Sequence, residues 1–334
     1  MTPGPVTVLG AGSWGSALAD LLARKGLEVR LWAHEAEVVA AVNQGHENPL
    51  FLPGSPLEPS IRAFGDIATA VASSAVVLCA APSHAMRSVL AGAAGSLAAG
   101  AILVSATKGL ETHTLRFPSE VAAELLPGRR FVALSGPSFA REVYDRQPTA
   151  VVAASADAEA SAAIQRLFAA PYFRVYRNAD VLGTEIAGAL KNVIAIAAGV
   201  LEGLGLGHNP RAALITRGLA EITRLGLAMG ADPHTFAGLA GMGDLILTAT
   251  GALSRNRALG VALAGGESLE EYTASRRSVA EGVNTARAAI RLAARAGVEL
   301  PIAAQVHALL FEGKAPAQAI AELMERTLKP EQWT

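Results

Sequence analysis

The chain has 334 residues, of which 28 are basic and 29 are acidic, so its formal net charge at pH 7 is −1. This balance argues against a nucleic-acid or anionic-membrane binder, because such proteins need a basic surface. Since 51% of the residues are apolar and 17% are charged, disorder is excluded, and the length predicts two domains.

The first half of the chain alternates short apolar runs with helical stretches of small residues. Six runs bounded by Gly, Pro or Ser are predicted to be strands: residues 6–9, 29–32, 76–79, 102–105, 131–134 and 150–154. Continuous apolar runs separated by helices are typical of a buried parallel sheet covered on both faces. An α/β domain is therefore predicted over residues 1–178.

Beyond residue 178 the strand-like runs give way to helical periodicity. Apolar residues recur at helical spacing over residues 186–200, and residues 212–229, 279–296 and 302–311 have the same character. A second, mostly α-helical domain is therefore predicted over residues 179–334. No repeat or low-complexity linker separates the two, so we expect them to pack closely.

The first strand is followed by a dinucleotide-binding motif. Gly10, Gly12 and Gly15 form a Gly-x-Gly-x-x-Gly turn that opens a predicted helix over residues 16–24. The first glycine permits a tight turn, the second allows a pyrophosphate to approach the backbone, and the third allows close helix–strand packing. A second strand over residues 28–32 completes a βαβ unit, so NAD or NADP binding is predicted.

The tip of the second strand should decide between the two cofactors. It contains His34 and Glu35. A basic residue there would bind a ribose 2′-phosphate, whereas a carboxylate would bind a free 2′-hydroxyl. A surface histidine beside a glutamate could equally bind neither group, so NADP(H) is favoured only slightly over NAD(H).

Lysine is scarce, because only five of the 28 basic residues are lysines. Lys191 lies within an apolar helical stretch, where it either extends its ammonium to water or is buried. A buried lysine has a lowered pKa and can exchange a proton with a substrate oxygen, and this interpretation is favoured. Lys108 follows a predicted strand, and ligands of open α/β sheets bind at the carboxyl ends of strands, although a lysine in a loop is more often solvated than functional.

A third group of polar residues lies in the helical half. Asp244 and Thr248 are four residues apart and would share one face of a helix. The adjacent Ser254, Arg255 and Asn256 suit a phosphate, because guanidinium offers a bidentate fork and the amide adds donors. The arginine could equally be an ordinary surface charge.

Taken together, these motifs resemble those of the NAD(P)-dependent glycerol-3-phosphate dehydrogenases over essentially the whole chain. The matching segments are residues 10–15, 106–109, 134–140, 188–192, 241–244, 255–256 and 281–282. The resemblance implies a Rossmann domain followed by an all-α domain like that of 6-phosphogluconate dehydrogenase, assembled as a homodimer. It also implies reversible reduction of dihydroxyacetone phosphate to sn-glycerol 3-phosphate, which supplies phospholipid synthesis.

The resemblance further implies individual roles. Lys191 would be the general acid, Lys108 would orient the substrate, and Asp244 and Thr248 would orient Lys191. The implied substrate contacts are Lys108, Gly136, Ser138, Lys191, Asp244, Ser254, Arg255 and Asn256. The implied cofactor contacts are Gly10, Gly12, Ser13, Trp14, Gly15, His34, Lys108, Ala140, Arg255, Val279 and Glu281. Many relatives carry an arginine beside the histidine, and Ala33 in its place weakens a strict NADP preference.

Three other functions compete with this one. A β-hydroxyacid dehydrogenase also combines a Rossmann domain with a catalytic lysine. A hydrolase is suggested by residues 136–140, which nearly match a nucleophile elbow around Ser138, although His307 has no convincing acid partner. A non-catalytic dinucleotide sensor would need neither of the two lysines.

The sequence also gives predictions about cellular location, membrane spans and metal binding. Cys79 is the single cysteine and lies in an apolar run, so a buried thiol in an intracellular protein is predicted. No basic segment precedes the first apolar run, and the uncharged windows contain interrupting Pro, His and Gly. A cytoplasmic protein without signal peptide or membrane span is therefore predicted. The histidines show no metal-ligand spacing, so no metal is predicted.

Overall fold

The computed structural model describes residues 4–276, 280–328 and 330–331. The predicted cofactor contact Val279 lies outside these residues. The strands are β1 (Val6–Leu9), β2 (Val29–Trp32), β3 (Arg62–Phe64), β4 (Val76–Cys79), β5 (Ile102–Ser105), β6 (Phe131–Ser135), β7 (Thr149–Ala154) and β8 (Phe173–Asn178).

Helices alternate with these strands and then continue without them. Those up to β8 are α1 (Ser13–Ala23), α2 (Ala36–Gly45), α3 (Ile67–Val71), α4 (Ser83–Ala94), α5 (Pro118–Leu125), α6 (Ala140–Tyr144) and α7 (Ala158–Phe168). Those after it are α8 (Val181–Gly203), α9 (His208–Ala228), α10 (Pro233–Ala237), α11 (Asp244–Thr250), α12 (Arg255–Ala264), α13 (Leu269–Ala274), α14 (Glu281–Ala296), α15 (Pro301–Phe311) and α16 (Pro316–Met324). A π-helical turn, Leu239–Gly243, leads into α11.

The strands form one eight-stranded sheet in the order β3-β2-β1-β4-β5-β6-β7-β8. The pairs from β3 to β6 are parallel, which is the strand order of a Rossmann domain. The predicted α/β domain followed by a helical domain is thereby confirmed. The carboxyl ends of β1, β2, β4, β5 and β6 share one edge of the sheet.

The expectation of a parallel sheet is wrong at one place, because β7 runs antiparallel to β6. The connection between these strands contains only the five-residue helix α6. A parallel connection needs a crossover of a dozen or more residues, usually through a helix that covers the sheet. Since α6 packs on α1 instead of crossing the sheet, the chain returns in the opposite direction.

Two strands that the apolar pattern did not predict lie at the edges of the sheet. β3 has three residues, and its Arg62 is exposed. In β8 the buried Phe173 and Val175 alternate with the exposed Arg174 and Tyr176. An edge strand has one open side and can carry polar residues, so neither segment forms a continuous apolar run.

The centre of the second half is α8, whose 23 residues are mostly buried. Among the helices of the described residues, α8 is the one that is long and apolar enough to cross a membrane. However, 89% of its most apolar window is buried inside the protein. β8 ends at Asn178, and Asp180 caps α8 by accepting a hydrogen bond from Gly183 N. We propose the boundary between the domains at residue 178.

α12 crosses α8 at very close range. A Cβ atom on Gly260 would overlap the carbonyl oxygen of Ile196, and one on Gly199 would overlap the carbonyl oxygen of Arg257. Side chains at these positions would therefore force the two helices apart. The glycines hold the amino end of α12, with its arginine and asparagine, beside the middle of α8.

The core of the α/β domain includes Cys79, which is fully buried. Burial raises the pKa of its thiol to about 11, so the thiolate that reacts is hardly present at neutral pH. The prediction of a buried thiol is confirmed.

Candidate active site

The glycine turn between β1 and α1 is shaped for a pyrophosphate. Gly10 has a φ of +109°, a conformation that side chains disfavour. A Cβ on Gly15 would overlap the carbonyl oxygen of Gly10, whereas one on Gly12 would meet nothing within 4 Å. Within the part of the chain that the structure describes, no side chain caps α1, and its first turn, which starts at Ser13, has no acidic residue. Its N–H groups are therefore available to an anion, and the turn fits a dinucleotide.

At the tip of β2 the side chains diverge. His34 is exposed, with its ring centroid 6.4 Å from that of Trp32. Ala33 is 0% exposed, and its N–H donates to the carbonyl oxygen of Phe64. Position 33 therefore faces the core, where an arginine would have to be buried. The absence of an arginine at position 33 is therefore weaker evidence against NADP than the sequence suggests. The exposed His34 is better placed than residue 33 to contact a 2′-phosphate.

The carboxylate of Asp244 joins the two lysines singled out in the sequence. Lys191 Nζ lies 2.6 Å from Asp244 Oδ1, and Lys108 Nζ lies 2.8 Å from Asp244 Oδ2. Lys191 Nζ also donates to Thr248 Oγ1 at 2.8 Å. Asp244 and Thr248 are one turn apart on α11, as their spacing predicts. We call Lys108, Lys191, Asp244 and Thr248 the lysine cluster.

Burial sets the charge state of the lysine cluster. Lys191 is 5% exposed and Asp244 is 1% exposed. Loss of hydration lowers the pKa of Lys191, the carboxylate of Asp244 partly opposes this shift, and the ammonium of Lys108 adds to it, so that the pKa lies at about 7. Burial would raise the pKa of Asp244, but the two ammonium groups outweigh it and hold that pKa below its ordinary value. Asp244 is thus ionised at neutral pH, and Lys191 can gain or lose a proton there.

A small residue on α8 lies where the two domains meet, beside the lysine cluster. A Cβ on Gly188 would lie 3.1 Å from Ser135 Oγ and 3.8 Å from Lys108 Cγ. The tight contact would be with Ser135, the last residue of β6, whereas the distance to the Lys108 stem is an ordinary van der Waals contact. The glycine therefore lets α8 pack closely on the end of β6, beside Lys108. In this way a residue that follows β5 meets residues of α8 and α11.

The loop after β6 surrounds the Lys108 ammonium. Lys108 Nζ donates to the carbonyl oxygen of Gly136 at 2.8 Å and lies 3.4 Å from Ser138 Oγ, which donates to the same carbonyl at 2.9 Å. Ala140 is the first residue of α6 and follows this loop closely. Predicted substrate contacts from two strand ends are thus adjacent to one another.

A chain of amides links the amino end of α12 to the lysine cluster. Asn256 Nδ2 donates to Asn192 Oδ1 at 2.9 Å, and Asn192 Nδ2 donates to the carbonyl oxygen of Lys108 at 3.1 Å. Asn256 Oδ1 accepts from Gly282 N at 2.9 Å. The sequence reasoning assigned no role to Asn192, although a buried amide beside Lys191 on an apolar helix is a usable signal.

The other two residues at this end of α12 are oriented differently. Ser254 is buried and caps the helix by accepting a hydrogen bond from Arg257 N at 3.2 Å. Arg255 is exposed, and it lies near enough to Glu281 to oppose part of the rise that burial causes in the pKa of that carboxyl. Arg255 is thus open to a ligand, whereas Ser254 is already engaged with the backbone.

Glu281 begins α14 and reaches the α/β domain. Its Oε1 accepts a hydrogen bond from Ser83 N at 3.1 Å, at the start of α4. Its Oε2 is buried and has no partner among the described residues. Burial raises the pKa of this carboxyl. A buried carboxyl with one unsatisfied oxygen suits a hydrogen-bonding ligand in the cleft.

Three further predictions can be placed against the structure. Trp14 packs partly against the core, and its indole N–H has no partner within the described residues. The expectation that His307 lacks an acid partner is wrong, because His307 bonds Glu312 at 3.0 Å, and its ring contacts Phe311. Among the described residues the hydroxyl of Ser138 bonds Gly136 and Lys108 and has no bond to His307, so the two do not form a nucleophile–base pair. Among the described residues, no group of three His, Cys, Asp or Glu residues could hold a metal ion.

Known proteins resemble this chain over its full length. Models of the NAD-dependent glycerol-3-phosphate dehydrogenase N-terminus and C-terminus match residues 5–161 and 180–321. The glycerol-3-phosphate dehydrogenase [NAD(P)+] of Geobacter sulfurreducens is 56% identical over 331 residues, which cover 98% of this chain and 99% of the relative. That of Geobacter metallireducens is 57% identical over 329 residues, covering 98% of each chain. A crystal structure of glycerol-3-phosphate dehydrogenase from Coxiella burnetii has a TM-score of 0.94 at 39% identity, over 98% of this chain and 100% of that one.

Proposed function

The chain belongs to the NAD-dependent glycerol-3-phosphate dehydrogenase family, and from this premise we propose that the lysine cluster carries the reaction of that family. The protein is an NAD(P)-dependent oxidoreductase that interconverts dihydroxyacetone phosphate and sn-glycerol 3-phosphate. The product is the backbone that phospholipid synthesis requires.

The observation that carries the proposal is the carboxylate of Asp244, which bonds both lysines. It keeps two ammonium groups together in a buried place, where they stabilise negative charge that develops on a substrate oxygen. When bound, the dinucleotide supplies or accepts the hydride. Lys191, with a pKa of about 7, donates a proton to the carbonyl oxygen in reduction and removes it in oxidation. Thr248 orients the ammonium of Lys191.

We assign the rest of the substrate to the residues around the lysine cluster. Lys108, with Gly136 and Ser138, would hold the hydroxyl and carbonyl end. Arg255, exposed at the first position of α12, would bind the phosphate together with Asn256. The first turn of α12 has no acidic residue, so its N–H groups would also favour an anion.

For the cofactor, the glycine turn would bind the pyrophosphate, with Ser13 and Trp14 beside it, and Glu281 would bind from the helical domain. His34 would receive a 2′-phosphate, so we propose a modest preference for NADPH over NADH. We also propose that the enzyme acts in the cytoplasm as a homodimer. Light scattering of the purified protein tests the assembly.

Steady-state kinetics with dihydroxyacetone phosphate and either NADH or NADPH test the activity. We expect turnover with both cofactors and a higher kcat/KM with NADPH. A β-hydroxyacid with the oxidised cofactor serves as the control substrate and should not react. Absence of phosphotriose reduction with either cofactor would overturn the proposal, and a higher kcat/KM with NADH would overturn the cofactor preference alone.

A further inference from the structure

Asn48 is a fully buried asparagine that reaches the glycine turn from a distant segment of the chain. It lies in the connection between α2 and β3, which we call segment 46–57. Its Nδ2 donates to the carbonyl oxygen of Ala11 at 2.7 Å and to Ser16 Oγ at 2.8 Å. Its Oδ1 accepts a hydrogen bond from Phe51 N at 3.2 Å. The amide therefore bonds on both sides.

The carbonyl of Ala11 lies between the end of β1 and the start of α1. Its two side-chain donors are Asn48 and Ser16, whose hydroxyl lies 3.2 Å from the oxygen. Because Asn48 is 0% exposed, the carbonyl points into the protein. In a planar trans peptide the next N–H points the opposite way. The N–H of Gly12 is therefore directed away from Asn48 and the core. Gly12 also has open space on its side-chain side, because a Cβ there would meet no atom within 4 Å.

We propose that Asn48 is a positioning residue for dinucleotide binding, which fixes the peptide between Ala11 and Gly12 so that the Gly12 N–H faces the phosphates. Asn48 acts through the turn, since its own amide is buried behind it. This inference rests on the proposed function only in requiring that the turn bind NAD(P)H.

Segment 46–57 is also anchored independently of Asn48. Arg141 on α6 donates to Ser55 Oγ at 2.9 Å, and Tyr144 OH donates to the carbonyl oxygen of Pro56 at 2.7 Å. The N–H of Glu58, just beyond the segment, donates to Asp20 Oδ1 at 2.9 Å. Removing the amide of Asn48 should therefore release the peptide of the turn while the segment stays in place.

The test compares Asn48→Ala with Asn43→Ala in the full-length protein. Asn43 is a matched control, because its amide also bonds backbone, donating to Ala63 O and accepting from Ala63 N at 2.9 Å each, but it braces β3 and not the turn. NADH affinity is measured by nicotinamide fluorescence without substrate, and thermal unfolding is followed in parallel. We expect Asn48→Ala to weaken NADH binding roughly tenfold, with KM for dihydroxyacetone phosphate nearly unchanged, and Asn43→Ala to bind NADH normally.

A third variant distinguishes the hydrogen bond that Asn48 donates to the turn from the one that it accepts from Phe51 N. Asn48→Asp keeps the acceptor for Phe51 N but places an oxygen against the carbonyl of Ala11, so it should weaken NADH binding at least as much as Asn48→Ala. Wild-type affinity in either Asn48 variant would overturn the inference. An equal loss in Asn43→Ala would also overturn it, because the effect would then be general destabilisation. If the wild type binds NADH but does not reduce dihydroxyacetone phosphate, the proposed function fails while this test still applies.

Discussion

Helix α8 carries two buried ionisable side chains in two different environments. Glu185, near its start, accepts hydrogen bonds from Ser119 N at 2.8 Å and Ser119 Oγ at 2.5 Å. Lys191, further along, faces Asp244 and Lys108. Burial raises the pKa of Glu185 to about 8 and lowers that of Lys191 to about 7. Both shifts favour the neutral form, so burial alone does not distinguish a structural group from a chemical one.

The difference lies in the neighbours. Glu185 joins α8 to the first turn of α5 through one serine, and among the described residues its hydrogen bonds involve no cation. Lys191 shares a carboxylate with a second ammonium group at the junction of the two domains. Coulomb interactions therefore compete with desolvation only at Lys191, and they leave it able to change charge in a cleft. The following variants test this contrast, in order of decreasing effect.

Lys191→Ala should have the largest effect. Loss of the proton donor should lower kcat by roughly 10²–10⁴-fold, while NADH affinity stays near that of the wild type. The protein should still fold, because Lys108 continues to pair with Asp244. Lys25→Ala is the control: Lys25 Nζ donates to Leu167 O and Ala169 O at 2.5 and 2.6 Å, so it should affect stability and not kcat. Near-normal turnover of Lys191→Ala would remove Lys191 from the chemistry.

Asp244→Asn should come next. It leaves two ammonium groups facing each other in a buried site without a counter-charge, so the pKa of Lys191 should fall further. We expect kcat for reduction at neutral pH to fall roughly tenfold or more, together with a lower Tm, since breaking a buried ion pair is strongly destabilising. Kinetics and thermal unfolding measure the two effects. An unchanged Tm and kcat would show that Asp244 is not the counter-charge of both lysines.

Arg255→Ala removes an exposed cation, in contrast to the buried Lys191. It should raise KM for dihydroxyacetone phosphate roughly tenfold, because a charge-assisted phosphate contact is lost, with little change in Tm. Arg257→Ala on the same helix is the comparison, since Arg257 Nε donates to Gly251 O at 3.0 Å and its guanidinium pairs with Glu202. That variant should lower Tm more than it raises KM. An unchanged KM in Arg255→Ala would exclude Arg255 from the phosphate site.

The pH dependence of the wild type should follow Lys191. Reduction needs its ammonium form, so kcat/KM for dihydroxyacetone phosphate should fall as pH rises through about 7. Oxidation of glycerol 3-phosphate needs the neutral amine and should rise over the same interval. Rate profiles in both directions measure this. Parallel profiles with the same sign would contradict a single group that serves as acid and base.

Glu185→Gln should have the smallest effect on activity. The folded-state pKa of Glu185 is about 8 against an ordinary 4.5, so its contribution to stability is fully present below 4.5 and is lost as pH rises through 8. Glutamine imitates the protonated form and does not ionise. The variant should therefore exceed the wild type in Tm by a few degrees at alkaline pH, with turnover unchanged. A loss of activity would mean that Glu185 serves the site.

Local patterns in the sequence determined the core of the fold. Six of the strands follow from continuous apolar runs, and the turn from Gly10 to Gly15 follows from glycines at fixed spacing, because these features depend on neighbouring residues. The family resemblance followed from the same motifs in order, and the comparisons confirm it. The edge strands β3 and β8 did not follow, because exposed polar residues interrupt their apolar pattern. The antiparallel direction of β7 did not follow either, because an apolar run does not encode the direction of its strand in the sheet.

Only the tertiary structure decided which side chains meet. Lys191 and Lys108 are separated from Asp244 by 53 and 136 residues, and no spacing encodes that they share its carboxylate. The sequence likewise could not predict that Ala33 faces the core or that Asn48 bonds to Ala11. Such contacts depend on strand order and on how closely helices such as α8 and α12 pack. The sequence alone determined the residue types available to the site, and the packing of distant elements decided their charge states and partners.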